Sequence, residues 1–325
     1  MALSKKQSIA IGVIAAAVVA VVGGGGVALG INRPAEAVAA PEPSASAPAV
    51  EWVHTDPIPD AVAALEASGF APIEPGKLTV AVGAFVPPLS YVPDGETLPA
   101  GTEPNIGSLI AESLGLEYNP VVVAWADWPL GIQSGKYDLI TSNVTVTEER
   151  KELYDFASYR QDLLGFAVRS DSAIEKIEKA DDISGLKVVV GSGTNQEKVL
   201  LSWNAELTAA GKAPAELNYY DDNAAATLAL QSGRVDATFG PNATAAWAAK
   251  ETGETKIVGI VPGGWPLQAD IAAGTKKGNG LVEPVNVALE ELIRNGKYAD
   301  VLKVWNLESE GIETSQINPP GLPKS

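Results

Sequence analysis

From residue 78 onward the chain alternates short apolar runs with stretches of helical spacing. Runs at 78–82, 121–124, 138–141, 187–190, 218–220, 237–239, 257–261 and 269–273 read as β-strands, with amphipathic patterns between most of them. Alternation of this kind implies an α/β protein whose open, mostly parallel sheets are covered by helices. In such sheets a ligand binds outside the carboxyl ends of the strands. Two helices are predicted with definite stops. Residues 60–68 place Val62, Leu65 and Ala67 at helical spacing before Gly69. Farther on, Leu281, Val285, Leu289 and Leu292 share one face, flanked by Ala288 and Ile293, and Asn295-Gly296 ends the pattern.

The first fifty residues belong to a different regime. Lys5 and Lys6 precede an apolar run over 9–31, and the small residues of AEAVAA (35–40) offer a cleavage site after Ala39. The run reads as an export signal, and it also exceeds the ~20 residues that span a bilayer, so residues 1–39 are either a signal peptide or an N-terminal membrane anchor. Both place the body outside the cytoplasm. The chain has no cysteine, which excludes a lipoprotein anchor, disulfides and thiol chemistry. Residues 40–58, with PEPSASAPAV at 41–50, read as a Pro/Ala/Ser-rich linker. A net charge of −17 argues against a nucleic-acid partner.

The stretch IQSGKYDLITSNVTVTEER, residues 132–150, concentrates the candidate chemistry. A helix stop at Gly135 and a short strand lead into a loop in which Ser142, Asn143, Thr145 and Thr147 carry short hydrogen-bonding groups before Arg150. The arginine fork matches a carboxylate. The bland alternatives are a surface ion pair of Arg150 with Glu148, Glu149 or Glu152, and a loop that only bonds to itself. A second candidate is Gly193-Thr194-Asn195-Gln196, a turn before a helix whose free N–H groups favour an anion. No Lys-Ser/Thr pair follows the second glycine, as a P-loop would need.

These segments resemble the family 3 extracellular solute-binding proteins, the amino-acid receptors of ABC importers. The family wording Q-S-G-K-Y-D-x-I-x-S-x-x-T-x-T-x-E-R is matched at 133–150, and VVVGSGTNQE (188–197), LQSGRVDATF (230–239) and VNVALEELIRNGKYADVLKVW (285–305) follow in the family's order. The resemblance implies a two-lobed, type II periplasmic-binding-protein-like fold. Lobe 1 would comprise 59–165 plus 267–310, lobe 2 166–266, and 311–325 a tail, with crossings near 164–169 and 261–267. It implies that Arg150 binds a ligand's α-carboxylate, that Ser142 and Thr145 contact the ligand, and that Trp125 stacks on it, with Phe85 and Tyr91 flanking the first loop. It also implies an ABC transporter permease as partner, a monomer, and neither cofactor nor metal.

Departures from the family pattern bear on the ligand. Where amino-acid binders place an Asp for the α-ammonium, D-A-T-F-G-P-N has Pro241 or, with a slip of one residue, Asn242, and the first-loop acid falls at Gly83. Glu103 remains as a cleft acid or a solvated loop acid. A small carboxylate is therefore expected, a neutral or acidic amino acid or a carboxylate without a buried ammonium, and basic amino acids are expected to bind poorly. Two other classes stay open: a ligand-sensing or interaction protein, and a dehydratase-like enzyme. For the latter the one histidine, His54, lies before the first lobe, so a proton shuttle there is missing.

Overall fold

The computed structural model describes residues 52–83, 86–220 and 222–324. The expected export segment and residues 40–51 of the linker lie outside them, as does Phe85. Among the described residues no helix is long and apolar enough to cross a membrane.

The elements run in the order α1 (Pro59–Ser68), β1 (Lys77–Gly83), α2 (Thr102–Ser113), β2 (Glu117–Val123), α3 (Trp128–Gln133), β3 (Leu139–Ile140), β4 (Tyr154–Gln161) and β5 (Leu163–Arg169). Then follow β6 (Lys187–Val189), α4 (Asn195–Ala209), β7 (Glu216–Asn218), α5 (Asn223–Gln231), β8 (Ala237–Pro241), α6 (Asn242–Thr252), β9 (Thr255–Pro262), β10 (Asp270–Lys276), α7 (Val282–Arg294) and α8 (Lys297–Val304). They form two five-stranded sheets, ordered β2-β1-β3-β10-β4 and β7-β6-β8-β5-β9.

Each sheet is mixed, and the odd strand has the same origin in both. β1 pairs in parallel with β2 and β3, while β10 runs antiparallel to β3 and β4. In the other sheet β6 pairs in parallel with β7 and β8, and β5 runs antiparallel to β8 and β9. The reversed strand is the one whose chain has just arrived from the other sheet. The first passage takes place at Asp162 alone, between β4 and β5, and the return occupies residues 263–269. Leu163, Leu164 and Gly165, assigned above to lobe 1, thus already lie in the second sheet. The strands at 154–161 and 163–169 escape the period-2 reading because Ser158, Arg160 and Asp162, all buried, interrupt the apolar run.

Burial explains the helices. The predicted face of α7, Val285, Ala288, Leu289 and Leu292, is buried in the core of the first sheet with Leu78, Val80, Ile106 and Leu109. Asn295 caps it and Gly296, at φ 85°, lets the chain turn into α8. α1 packs on α7, ends at Gly69 with φ 69°, and buries Ala61 fully. The second sheet closes over Phe166, Phe239 and Trp203, whose rings stack.

Both ends of the body are fastened to the first lobe. Residues 53–55, assigned to the linker, are bonded to α2: Asn105 exchanges bonds with Val53, and Glu112 accepts from His54 and from the Thr55 amide. The proline-rich tail lies along β4, with Ile317 bridged to Ala157 and Asn318 N–H donating to Phe156 O at 2.8 Å.

Candidate functional site

The loop after β3 is held in shape by its own polar groups. Asn143 takes φ 50°, a left-handed value that asparagine tolerates. Its N–H donates to Glu103 Oε2 at 2.8 Å and its side-chain oxygen accepts from Arg160. The Ser142 hydroxyl accepts from Gly83 N–H at 2.6 Å, tying the loop to the end of β1. Thr145 donates to Asp162 at 2.6 Å. Thr147 Oγ1 accepts from Arg150 N–H at 3.0 Å. Of the two readings of these residues, internal bonding describes Asn143 and Thr145 well, and what the loop presents outward is Arg150.

Arg150 stands between the sheets. Its Nη1 donates to Thr145 O at 2.8 Å and its Nη2 reaches Gly193 O at 3.5 Å, so one guanidinium touches both lobes. The group lies over Trp125 at 5.4 Å and Trp128 at 5.8 Å from the ring centres. Such placement strips water from the cation: burial pulls its pKa down to about 10, against the opposing pull of Asp162 and Glu149. A carboxylate here would meet a desolvated fork of donors beside an aromatic wall. The ion pair with a neighbouring glutamate is not formed. Glu149 instead pairs with Lys198 of α4, a second bond between lobes, and Glu148 with Lys151.

Across from Arg150, Thr194 caps α4. Its Oγ1 accepts from Glu197 N–H at 3.2 Å and donates to Gly191 O at 2.7 Å. Asn195 has a different task from the one expected of it: its amide donates to Asp162 Oδ2 and to Gly263 O, both at 2.9 Å, and so joins α4 to both passages between the sheets. Gln196, in the same turn, is buried and its Oε1 has no partner among the described residues.

Glu103 is neither a cleft acid nor a solvated one. It is fully buried at the start of α2, where it accepts from Tyr159 Oη, from the Asn143 amide and, at 3.3 Å, from Arg160 Nη2. Arg160 also pairs with Glu310. Asn242 Nδ2 reaches Glu310 Oε1 at 3.3 Å, so the residue beside Pro241 serves a contact between α6 and the other lobe. The structure thus gathers Arg150, Thr145, Trp125, Gly193 and, through Asp162, Asn195 around one place. Glu103, Asn143 and Asn242 belong to the buried Glu103–Arg160–Glu310 cluster behind it.

Sequence reasoning missed Asp162, Arg160 and Glu310. Asp162 is buried, and burial raises its pKa to about 6 although bonds from Thr145 and Asn195 and the charge of Arg160 oppose the rise. Its one signal is a charge standing directly before the apolar run LLGFAV.

Residues 78–308 match the sequence profile of the bacterial extracellular solute-binding proteins, family 3. The L-cystine-binding protein TcyJ of Escherichia coli is 28% identical over 239 residues, 71% of this chain and 83% of its own length. The arginine-binding protein ArgT of Corynebacterium glutamicum is 27% identical over 283 residues, 84% of this chain and 87% of its own. Among solved structures, an ancestral arginine-binding protein bound to arginine superposes with a TM-score of 0.62 at 28% identity, covering 71% of this chain and 98% of that one.

Proposed function

This chain belongs to the family 3 bacterial extracellular solute-binding proteins, and on that premise we propose that it captures a neutral or acidic amino acid between its lobes and delivers it to the permease of an ABC importer. The observation that carries the reading is Arg150, a desolvated guanidinium that touches both lobes and lies over Trp125 and Trp128. The ligand's carboxylate docks on that fork, and Thr194 and Gln196 at the start of α4 close from the other side.

Selectivity follows from how the nearby acids are spent. Glu103 and Glu310 answer Arg160, and Asp162 answers Thr145 and Asn195. A second positive charge on the ligand would find these carboxylates already engaged, and leaving it without one costs several kcal/mol on burial. Arginine, named in ArgT, is accordingly the competitor to test. The role proposed is binding rather than catalysis: Asp162 is held by Thr145 and Asn195, Tyr154 by Pro129 O, and Glu149 by Lys198. The protein works outside the cytoplasm as a monomer, either released near Ala39 or held by residues 9–31.

A thermal-shift screen of the body with glutamine, cystine, glutamate, aspartate, arginine and lysine tests this. A ligand at 100 times its Kd stabilises the fold by about 2.7 kcal/mol. Glutamine, cystine or the acidic amino acids are expected to raise the midpoint, with a smaller interlobe angle by small-angle scattering. Stabilisation by arginine and lysine alone would overturn the selectivity, and no stabilisation by any of the six would overturn the receptor reading.

A further inference from the structure

The segment that follows the family-matched region holds the loop that carries Arg150. Residues 144–146 are fixed on one side by β10, through Val146 N–H to Asp270 O at 2.9 Å and Ala272 N–H to Val144 O at 3.0 Å. The next two residues are fixed by the tail. Leu322 N–H donates to Val146 O at 3.2 Å, Glu148 N–H donates to Leu322 O at 2.9 Å, and Thr147 is bridged to Leu322 in parallel. Side chains repeat the connection. Gly321 N–H donates to Glu148 Oε1 at 3.1 Å, Lys151 Nζ donates to Pro319 O at 3.1 Å, and Lys324 pairs with Glu152.

The strap is itself anchored before it reaches the loop. Ser158 N–H donates to Gln316 O at 3.0 Å, Ser315 Oγ to Ser158 O at 2.7 Å, and Asn318 exchanges bonds with Phe156. The fit leaves no room for a larger residue at the contact: a Cβ on Gly321 would lie 2.5 Å from Val146 O. The profile match ends at residue 308, and every tail residue in these contacts lies beyond it.

We propose that residues 315–324 are a positioning strap for ligand binding: paired at Leu322, they fix residues 146–148, and with them the turn from which Arg150 reaches the cleft. The inference rests on the reading of Arg150 as the carboxylate anchor. Thr147 is the link, since its Oγ1 accepts the Arg150 amide and its carbonyl accepts Lys151 N–H at 3.0 Å. Without the strap the side of this turn away from β10 loses its backbone partners, and the ligand must order it on binding, which weakens affinity.

Two variants of the full chain test this, Gly321→Val, which drives a Cβ against Val146 O, and Leu322→Pro, which removes the N–H that this oxygen accepts. Amide exchange and calorimetric titration with L-glutamine are read together, with Arg150→Ala in parallel. In both strap variants exchange at Glu148 and Arg150 is expected to quicken at least tenfold while α7 and the second sheet keep their protection, and L-glutamine affinity is expected to fall at least fivefold. Unchanged exchange at Glu148 and Arg150, or faster exchange with unchanged affinity, overturns the inference. Loss of binding in Arg150→Ala with full binding in both strap variants overturns the strap and leaves the site. Full L-glutamine binding in Arg150→Ala overturns the site and the strap together.

Discussion

Asn195 Nδ2 lies 2.9 Å from Asp162 Oδ2, which ties the first turn of α4 to the single residue at which the chain leaves the first sheet for the second. The same amide reaches Gly263 O, and Gly263 N–H donates to Asp162 O at 2.7 Å, so both passages between lobes meet in one bonded group. Thr145, from the loop of Arg150, completes it. Hinge closure must turn about this group.

Asp162 should therefore set a pH dependence of stability. In the folded state its carboxyl binds a proton up to about 6, against the ordinary aspartate value of 3.8, so between these values the native state holds more protons than the unfolded chain. The stability it contributes is present below about 4 and is lost as pH rises through 6. Asp162→Asn should remove that fall, which is on the order of 2 to 3 kcal/mol. Denaturant unfolding at pH 4, 5, 6 and 7 measures it, and an unaltered slope in the variant would show that Asp162 is charged throughout.

Arg150→Ala should weaken ligand binding by about 2 to 5 kcal/mol, the range for a buried charge pair deprived of one partner. Arg150→Lys should not restore it, because one ammonium reproduces neither the fork nor its stacking over Trp125 and Trp128. Titration calorimetry decides, and rescue by lysine would mean that the anion is held as a point charge.

Removing the arginine of the buried cluster should be far costlier to the fold than to the ligand. Arg160→Met leaves Glu103 and Glu310, both fully enclosed, without a counter-charge. A loss of about 3 to 5 kcal/mol in stability is expected. Urea midpoints at neutral pH measure it, and Arg160→Lys, which keeps a positive charge between the two acids, should lose less than Arg160→Met. A change below ~1 kcal/mol would show the cluster to be hydrated.

Pro241→Asp introduces an acid at one of the two positions, 241 or 242, where the resemblance to the family would put the partner of the ligand's ammonium. Pro241 precedes α6, which has no side-chain cap, so an aspartate there also gains the first-turn N–H groups. Affinity for amino acids should rise relative to their deaminated analogues. An equal change for both, by competition calorimetry, would place the ammonium elsewhere.

The parts of this molecule that announce themselves in the sequence are those whose signal is local. The α7 face, the stop at Gly69 and the loop from Ser142 to Arg150 each depend on residues within a few turns of one another. The rest depends on partners brought together by the fold. Arg160 reads as a surface residue until Glu103 and Glu310, far away on either side in the chain, enclose it. Prolines at 319, 320 and 323 read as coil, yet Ser315, Gln316, Asn318 and Leu322 fasten the tail, in large part to main-chain groups of Val146, Glu148, Phe156 and Ser158 that carry no side-chain signature. Glu103 stands in G-T-E-P-N-I, whose wording leaves a cleft acid and a solvated loop acid equally open, and only the geometry of Tyr159 and Asn143 places it inside.

The interleaving of the two sheets also dictates an order of assembly. All five strands of the second sheet come from one uninterrupted stretch, 163–262, so that half can complete its core as soon as it is made. In the first sheet β10 lies between β3 and β4, and it is synthesised only after the whole second lobe. Until then the edge of β3 at Ile140 stands open, an unpaired strand of the kind that invites pairing with other chains. The nascent protein is most vulnerable in the interval between the second lobe and β10, and it is there that a chaperone has a strand to cover.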